Sequence, residues 1–314
     1  MSANEICLNA DILCPDCTGV DTKLIGQLPD VALFAGQTLS RPLIGGRLFH
    51  CLSCDLKFRC QVGEGTRNTQ TYDNALTEAW TTDASTRTDW AIARSMIKGF
   101  GGRRPTVLDV GCYTGGFLDS LGQGVIKAGV EPNTAAASRT AEGLGIDVWP
   151  SIAAIPEGRR FDFIVAIDVL EHVEKPTQFI ASLEKHLEDQ GAFIVSTGDA
   201  NARLSRLFGA NWWYCFFPEH ISFVSKTWFN KLCISANYGI AHLVFFNYKR
   251  LSGLTWCLNF VQTVAYGLGG RFYISSLEMA FRLIGRHWAV YPKGMGVSND
   301  HLIAMIKKTK VRKT

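Results

Sequence analysis

Val107–Phe117, VLDVGCYTGGF, sets an apolar run directly against a glycine-rich turn, and the next apolar run closes on Glu131. A strand that breaks into a tight turn and then a helix presents backbone N–H groups at the helix start. A carboxylate ending the following strand can accept hydrogen bonds from ribose hydroxyls. The pairing predicts a parallel α/β sheet with a nucleotide-like ligand at its carboxyl edge. A dinucleotide site wants Gly-x-Gly-x-x-Gly, whose second glycine lets the backbone approach a pyrophosphate. Gly111 and Gly116 fit that spacing, but Tyr113 stands at the second position, where a phenol ring would crowd the phosphates. A cofactor with a ribose and no phosphate makes fewer demands on the glycines.

The rest of the chain keeps the same rhythm. Val107–Val110, Gly124–Glu131, Phe161–Asp168 and Ala192–Thr197 read as strands between helical patterns, an alternation that argues a sheet covered by helices on both faces. Ala241–Lys249 and His301–Lys308 read as two further strands, with a helical stretch over Leu251–Trp288 between them. Ligands of such sheets bind at the carboxyl ends of the strands, where Asp109, Glu131 and Asp168 all fall.

Four segments in order resemble class I S-adenosylmethionine-dependent methyltransferases over roughly Trp90–Lys249: Leu108–Gly115, Val130–Pro132, Phe161–Val173 and Leu187–Thr197. The resemblance implies a doubly wound, mostly parallel, seven-stranded Rossmann-like sheet whose last pair includes an antiparallel strand. It places Asp109, Gly111, Tyr113 and Gly115 around the methionine end of S-adenosylmethionine, Glu131 and Pro132 at the ribose, and Asp168 and Val169 under the cofactor. Two departures stand out. The family usually carries glycine where Tyr113 stands. After the third strand, where relatives often place an acid near the adenine amine, this chain has Trp149-Pro150-Ser151-Ile152, which leaves adenine to backbone groups and Ile152.

The 314 residues, 47% of them apolar, suffice for one large domain plus an appendage. Lys and Arg number 32 against 28 Asp and Glu, too small a surplus to argue for nucleic acid. The fourth-strand segment also lacks the Asn/Asp-Pro-Pro-aromatic pattern of nucleic-acid methyltransferases. Met1–Glu5 lacks a basic start and an apolar run, so a cytoplasmic location is expected. The apolar run Leu254–Leu268, broken by Asn259, Gln262 and Gly267, is short of the ~20 residues that span a bilayer. That run and the basic tail Lys307–Lys313 imply at most peripheral membrane contact, and oligomeric state is not readable.

Cys14-Pro15-Asp16-Cys17 and Cys51-Leu52-Ser53-Cys54 form two CxxC pairs in turn-like contexts. Four thiolates converging at tetrahedral angles suit zinc; four reduced thiols are the alternative, with Cys7 and Cys60 showing free use of cysteine nearby. Pro15 and Ser53 favour metal knuckles over a redox pair. Many methyltransferases of the resembled class carry such a module ahead of the cofactor domain, and Cys51–Phe58 is similar to its second half. The division expected is a zinc-ribbon-like module over 1–65 and a methyltransferase domain over 66–314, its core at about 90–250 and a helical insertion at about 251–290. The Thr/Asn/Asp-rich stretch Gly63–Arg87 reads as a linker crossing the cofactor mouth.

Methyl transfer to a hydroxyl needs an aligned acceptor and a base. In Phe208–Phe223 the aromatic residues supply an acceptor wall, with His220 as base and Glu219 beside it; the alternative is that His220 orders the loop and the aromatics fill core. His172, four residues after Asp168, either faces the acceptor or orients a loop, and Glu171 reads as a solvated or capping side chain. Related sugar methyltransferases use a similar Glu-His pair, so a sugar or glycan precursor is the small-molecule acceptor the resemblance implies. Carbon methylation of a nucleotide sugar, and an inactive zinc-ribbon binding protein with Tyr113 as the lesion, stay open.

Overall fold

The computed structural model describes residues 12–34, 37–60, 87–98, 101, 103–249, 251–283 and 296–309. Cys7, most of the expected linker, the end of the helical stretch near Trp288 and the tail beyond Thr309 lie outside these residues. The amino-terminal part carries β1 (Thr22–Gln27), β2 (Val31–Phe34), β3 (Gln37–Leu43), β4 (Arg47–Cys51) and β5 (Lys57–Cys60). Then come α1 (Thr88–Lys98), β6 (Thr106–Val110), α2 (Gly116–Ser120), β7 (Ile126–Val130), α3 (Thr134–Leu144), β8 (Asp147–Trp149) and β9 (Phe161–Ile167). The remainder is α4 (Pro176–Leu183), β10 (Leu187–Gly198), α5 (Arg203–Phe208), β11 (Ser222–Phe223), α6 (Lys226–Ser235), β12 (Tyr238–Phe246), α7 (Gly253–Leu283) and β13 (His301–Lys308).

Seven strands form the main sheet in the order β12-β13-β10-β9-β6-β7-β8, and β13 runs antiparallel to both neighbours while β6 to β10 are parallel. The near-continuous apolar runs of β9 and β10 are what a sheet covered on both faces requires: Phe163, Ile164, Val165, Phe193, Ile194 and Val195 are all buried. Asp162 is the polar exception in β9, and its carboxylate is met by Arg103 and by the N–H and hydroxyl of Thr106. Helix α3 starts where Asn133 accepts from the Ala136 N–H and stops at Gly145, whose φ of 63° ends the helix in the left-handed region.

Boundaries differ from expectation where polarity misleads. β10 begins at Leu187, five residues before the apolar run, because Glu188–Gln190 occupy a bulged, solvent-facing stretch of strand with a register shift before Ala192. The strand read over Ala241–Lys249 spans Tyr238–Phe246. Helix α7 lies between β12 and β13 and kinks at Gly270 (φ 50°, ψ −129°); among the described residues no helix is long and apolar enough to cross a membrane.

The amino-terminal strands do not stand apart. β2 and β3 pair with each other, while β1, β4 and β5 join β11 in the order β1-β4-β5-β11, so Ser222 and Phe223, far along the chain, pair with Phe58 and Lys57 of β5. The Asp16 carboxylate accepts from the Thr177 N–H and hydroxyl on α4 (2.8 Å each) and from the Trp228 indole on α6 at 3.1 Å.

Candidate active site

The turn after β6 is shaped by three left-handed residues: Gly111 (φ 78°), Tyr113 (φ 48°) and Gly115 (φ 77°). A Cβ on Gly111 would meet the Val169 side chain at 2.8 Å, and one on Gly115 would meet Thr140 at 2.7 Å. Both glycines are therefore required by space as well as by φ. Tyr113 adopts, at a non-glycine residue, a left-handed conformation that glycine takes freely, at a cost of roughly 1–2 kcal/mol. It is held there from two sides: its N–H donates to Glu131 Oε2 at 2.8 Å, and its carbonyl accepts from the Thr140 hydroxyl at 2.7 Å. The other Glu131 oxygen accepts from the Asn133 N–H at 2.8 Å. Each carboxylate oxygen has a second lone pair for a ribose hydroxyl.

Burial raises the Glu131 carboxyl, opposed by these two N–H bonds. Burial also pushes Asp109 well above the usual carboxylate range, reinforced by Glu131. Pro132 is exposed and Ile152 half-buried after β8, at the same sheet edge.

Asp168 follows β9 with φ 55° and accepts from Arg87 at 2.7 Å and from the Tyr248 hydroxyl at 2.9 Å. Arg87 also pairs with Asp89 and lies over the rings of Trp90 and Tyr248. Arg87, just before α1, thus reaches Asp168 at the carboxyl edge of the sheet.

Glu171 corrects the sequence reading. It is neither solvated nor a cap: it is 1% exposed, accepts from the Tyr214 hydroxyl and from Thr197 Oγ1 at 2.9 Å, and has its carboxyl raised to about 7 by burial and by Asp168, against those two bonds. Beside it stand the two expected histidines. His172 Nδ1 lies 3.1 Å from the Glu219 carbonyl and His220 Nδ1 lies 2.9 Å from the Tyr214 carbonyl. Carbonyls only accept, so both rings carry the proton on Nδ1 and keep a lone pair on Nε2. The rings meet edge to face at 5.1 Å. Burial lowers His172, and burial together with His172 lowers His220 further, which favours the uncharged form of each ring. A nitrogen of each and an oxygen of Glu171 lie within 4.8 Å of one another, a donor set that could hold a divalent cation. Glu219, expected as the partner of His220, instead has its carboxyl raised by burial and leaves Oε2 buried with no hydrogen-bond partner. The aromatic residues of Trp212–Phe217 pack as a wall around these rings, His220 lying 4.3 Å from Tyr214 and 5.2 Å from Phe217.

One pair of adjacent functional candidates escaped the sequence reading. Asp300 and His301 sit at the start of β13, which the antiparallel register places opposite Gly198 at the carboxyl edge. Asp300 accepts from the Trp213 indole at 2.6 Å and from His301 Nδ1 at 3.0 Å; burial alone would lower His301, but Asp300 outweighs it and raises it. Tyr214, read only as part of the aromatic wall, has the further role of holding Glu171 through its hydroxyl. Only the antiparallel last strand, expected from family resemblance, hinted that the start of Val297–His301 returns to the site.

The four cysteines converge. Cys14 and Cys54 sulfurs lie 3.6 Å apart, Cys17 and Cys51 sulfurs 3.5 Å, and all four within 4.8 Å of one another. Tetrahedral zinc with bonds of about 2.3 Å needs sulfurs about 3.8 Å apart. Each knuckle closes alike: the N–H of the residue four on (Thr18, Asp55) returns to the first cysteine's carbonyl at 2.9 Å, and those residues have φ of 58° and 70°.

A seven-stranded mixed sheet, with a glycine turn after one central strand and a buried acid ending the next, has the Rossmann-like methyltransferase architecture. The methyltransferase-domain family model matches residues 56–243, and the chain belongs to that family. It is similar to the mitochondrial ubiquinone biosynthesis O-methyltransferase of Arabidopsis thaliana (29% identical, covering 35% of this chain and 37% of that protein). The corresponding protein of Cereibacter sphaeroides strain KD131 is 33% identical, over 36% of this chain and 50% of its own length. The chain spans about a third to a half of the length of the curated relatives it matches. Among solved structures, a methyltransferase from Thermotoga maritima described as a possible histamine N-methyltransferase overlays with a TM-score of 0.44 at 18% identity, covering 70% of this chain and 89% of that one.

Proposed function

We propose that this chain transfers a methyl group from S-adenosylmethionine to an oxygen of a small-molecule acceptor. The observation that carries the reading is the meeting, at one sheet edge, of the Gly111–Gly115 turn and Glu131 carboxylate with the Glu171, His172 and His220 cluster. When bound, S-adenosylmethionine supplies a methyl group already activated on a sulfonium. Gly111 and Gly115 let the turn fold closely against Val169 and Thr140, Glu131 offers its second lone pairs to the ribose, and Ile152 offers an apolar contact to the adenine. Asp168 and Val169 floor the region between cofactor and acceptor.

The chain's remaining task is to orient the acceptor, exclude water and take a proton. His220 Nε2 is the proposed proton acceptor: its lone pair is fixed by the Nδ1 bond to Tyr214, and the wall of Trp212–Phe217 keeps water out. His172 holds the adjoining wall through the Glu219 carbonyl, and Glu171 with a pKa of about 7 supplies a second proton site. Oxygen as the methylated atom draws support from the relatives' name, O-methyltransferase, over carbon methylation of a nucleotide sugar. The sugar or glycan acceptor expected from the Glu-His pair draws none from relatives named for ubiquinone biosynthesis. The family membership and the closed loop around Tyr113 favour an enzyme over an inactive binding protein.

The cysteine cluster is read as a structural zinc site, all four positions filled by Cys14, Cys17, Cys51 and Cys54; the sulfur spacing supports it.

Titration calorimetry with S-adenosylhomocysteine tests the cofactor reading. Binding with micromolar affinity is expected; no heat at millimolar ligand would overturn it.

A further inference from the structure

Arg59, at 7% exposure, is a buried cation on β5. Its guanidinium goes to backbone carbonyls: Gly45 at 2.6 Å, Cys215 at 2.7 Å, Phe217 at 2.9 Å and His220 at 3.0 Å. Its own N–H donates to the Ile221 carbonyl at 2.8 Å. Burying a guanidinium is expensive unless its N–H groups are met, and here three of the four carbonyls that meet them belong to one short loop. The carbonyls that fix the two imidazoles, Tyr214 for His220 and Glu219 for His172, belong to the same loop and interleave with those held by Arg59. The start of the loop is also held by ring packing and by the Tyr214 hydroxyl on Glu171, while at its tip Glu219 Oε2 is buried with no hydrogen-bond partner. From Ile221 onward it is tied to the site again, since the Ile221 N–H donates to the Glu171 carbonyl at 2.7 Å and the Ser222 hydroxyl to Val173 at 2.6 Å.

We propose that Arg59 is a positioning residue of the acceptor site: through it the amino-terminal module fixes the 214–220 loop and so sets the tautomer and aim of His172 and His220. The module then serves as a wall of the acceptor site rather than as a separate binding domain. This rests on the reading of His172 and His220 as acceptor-site groups; the cofactor lobe, with Glu131 and the glycine turn, makes no contact with Arg59 in the described bonds.

The test uses the full chain carrying Arg59→Met or Arg59→Lys, with long-range proton–nitrogen NMR of the histidine rings and calorimetry with S-adenosylhomocysteine. In the unsubstituted chain both rings are expected as neutral Nδ1–H tautomers at pH 7.5. Arg59→Met should mix the tautomers of both rings, while affinity for S-adenosylhomocysteine stays within about threefold. Arg59→Lys, which keeps the charge and fewer N–H donors, should lie between, and it decides the matter if Arg59→Met does not fold. Unmoved ring signals in a folded variant would overturn the proposal. So would affinity falling in step with the ring changes, since that is what a merely structural residue produces. If the unsubstituted chain binds no S-adenosylhomocysteine, the cofactor reading fails separately, and the ring signals still decide whether Arg59 holds the loop.

Discussion

Tyr113 and Glu131 are locked together through the backbone: the Tyr113 N–H donates to Glu131 Oε2 at 2.8 Å while Tyr113 holds a left-handed φ of 48°. The acid read as a ribose ligand is therefore also the clamp that keeps a bulky residue in a glycine conformation. Glu131→Ala removes an acceptor from two N–H groups, those of Tyr113 and Asn133, at about 1–3 kcal/mol. It should lower the melting temperature and weaken S-adenosylhomocysteine binding at least about tenfold. Calorimetry showing unchanged affinity would take Glu131 out of the ribose site.

What was legible in the sequence follows from this pairing. Val107–Val110 and Glu131 are close in sequence and joined by one crossover, so glycine spacing and a strand-ending acid sufficed to bring the turn and Glu131 to one sheet edge. The CxxC pairs were legible because each knuckle is local. Glu171 was misread because nothing local says that Tyr214 and Thr197 come to meet it, and an acid beside a short turn looks like a cap. Arg59, Tyr214 and Asp300–His301 depend on β5–β11 pairing and on the antiparallel return of β13, contacts between distant segments with no periodic signal.

Glu171 makes stability depend on pH with a definite sign. Its folded pKa of about 7 lies above the ordinary 4.5, so the folded state binds the extra proton between those values. Its contribution is full below about 4.5 and is lost as pH rises through 7. His172 and His220, lowered by burial, act oppositely: their contribution is full above the ordinary histidine range and is lost as pH falls below it. Comparing the chain with Glu171→Gln isolates the carboxyl. The melting temperature of Glu171→Gln relative to the unsubstituted chain should rise between pH 5 and pH 8, by scanning fluorimetry; a flat difference would return Glu171 to an ordinary carboxylate.

The cysteine cluster makes a stoichiometric prediction. Purified chain dialysed against buffer without chelator should retain about one zinc per chain, because structural zinc and folding are coupled. Cys51→Ser should lose most of it and melt earlier, since Cys51 is fully buried between β4 and the knuckle. Less than about half an equivalent by elemental analysis of the unsubstituted chain would contradict a structural site.

Gly198 and Gly143 separate crowding at the site from ordinary glycine effects. A Cβ on Gly198, at the end of β10, would meet Tyr214 ring carbons at 2.5 and 2.7 Å. That ring cannot yield freely: it is packed against Trp212, Trp213, His220 and His301, and its hydroxyl holds Glu171. Gly198→Ala should therefore destabilise by about 1–3 kcal/mol and alter the near-ultraviolet circular dichroism of the aromatic wall. Gly143 lies within α3 with nothing within 4 Å of its added Cβ, so Gly143→Ala should stabilise by about 0.5–1 kcal/mol through the unfolded state and leave the aromatic signal untouched. Denaturant melts of the two variants must move in opposite directions. If Gly198→Ala melts with the unsubstituted chain, Tyr214 is free to move and its hold on Glu171 is not what shapes the acceptor site.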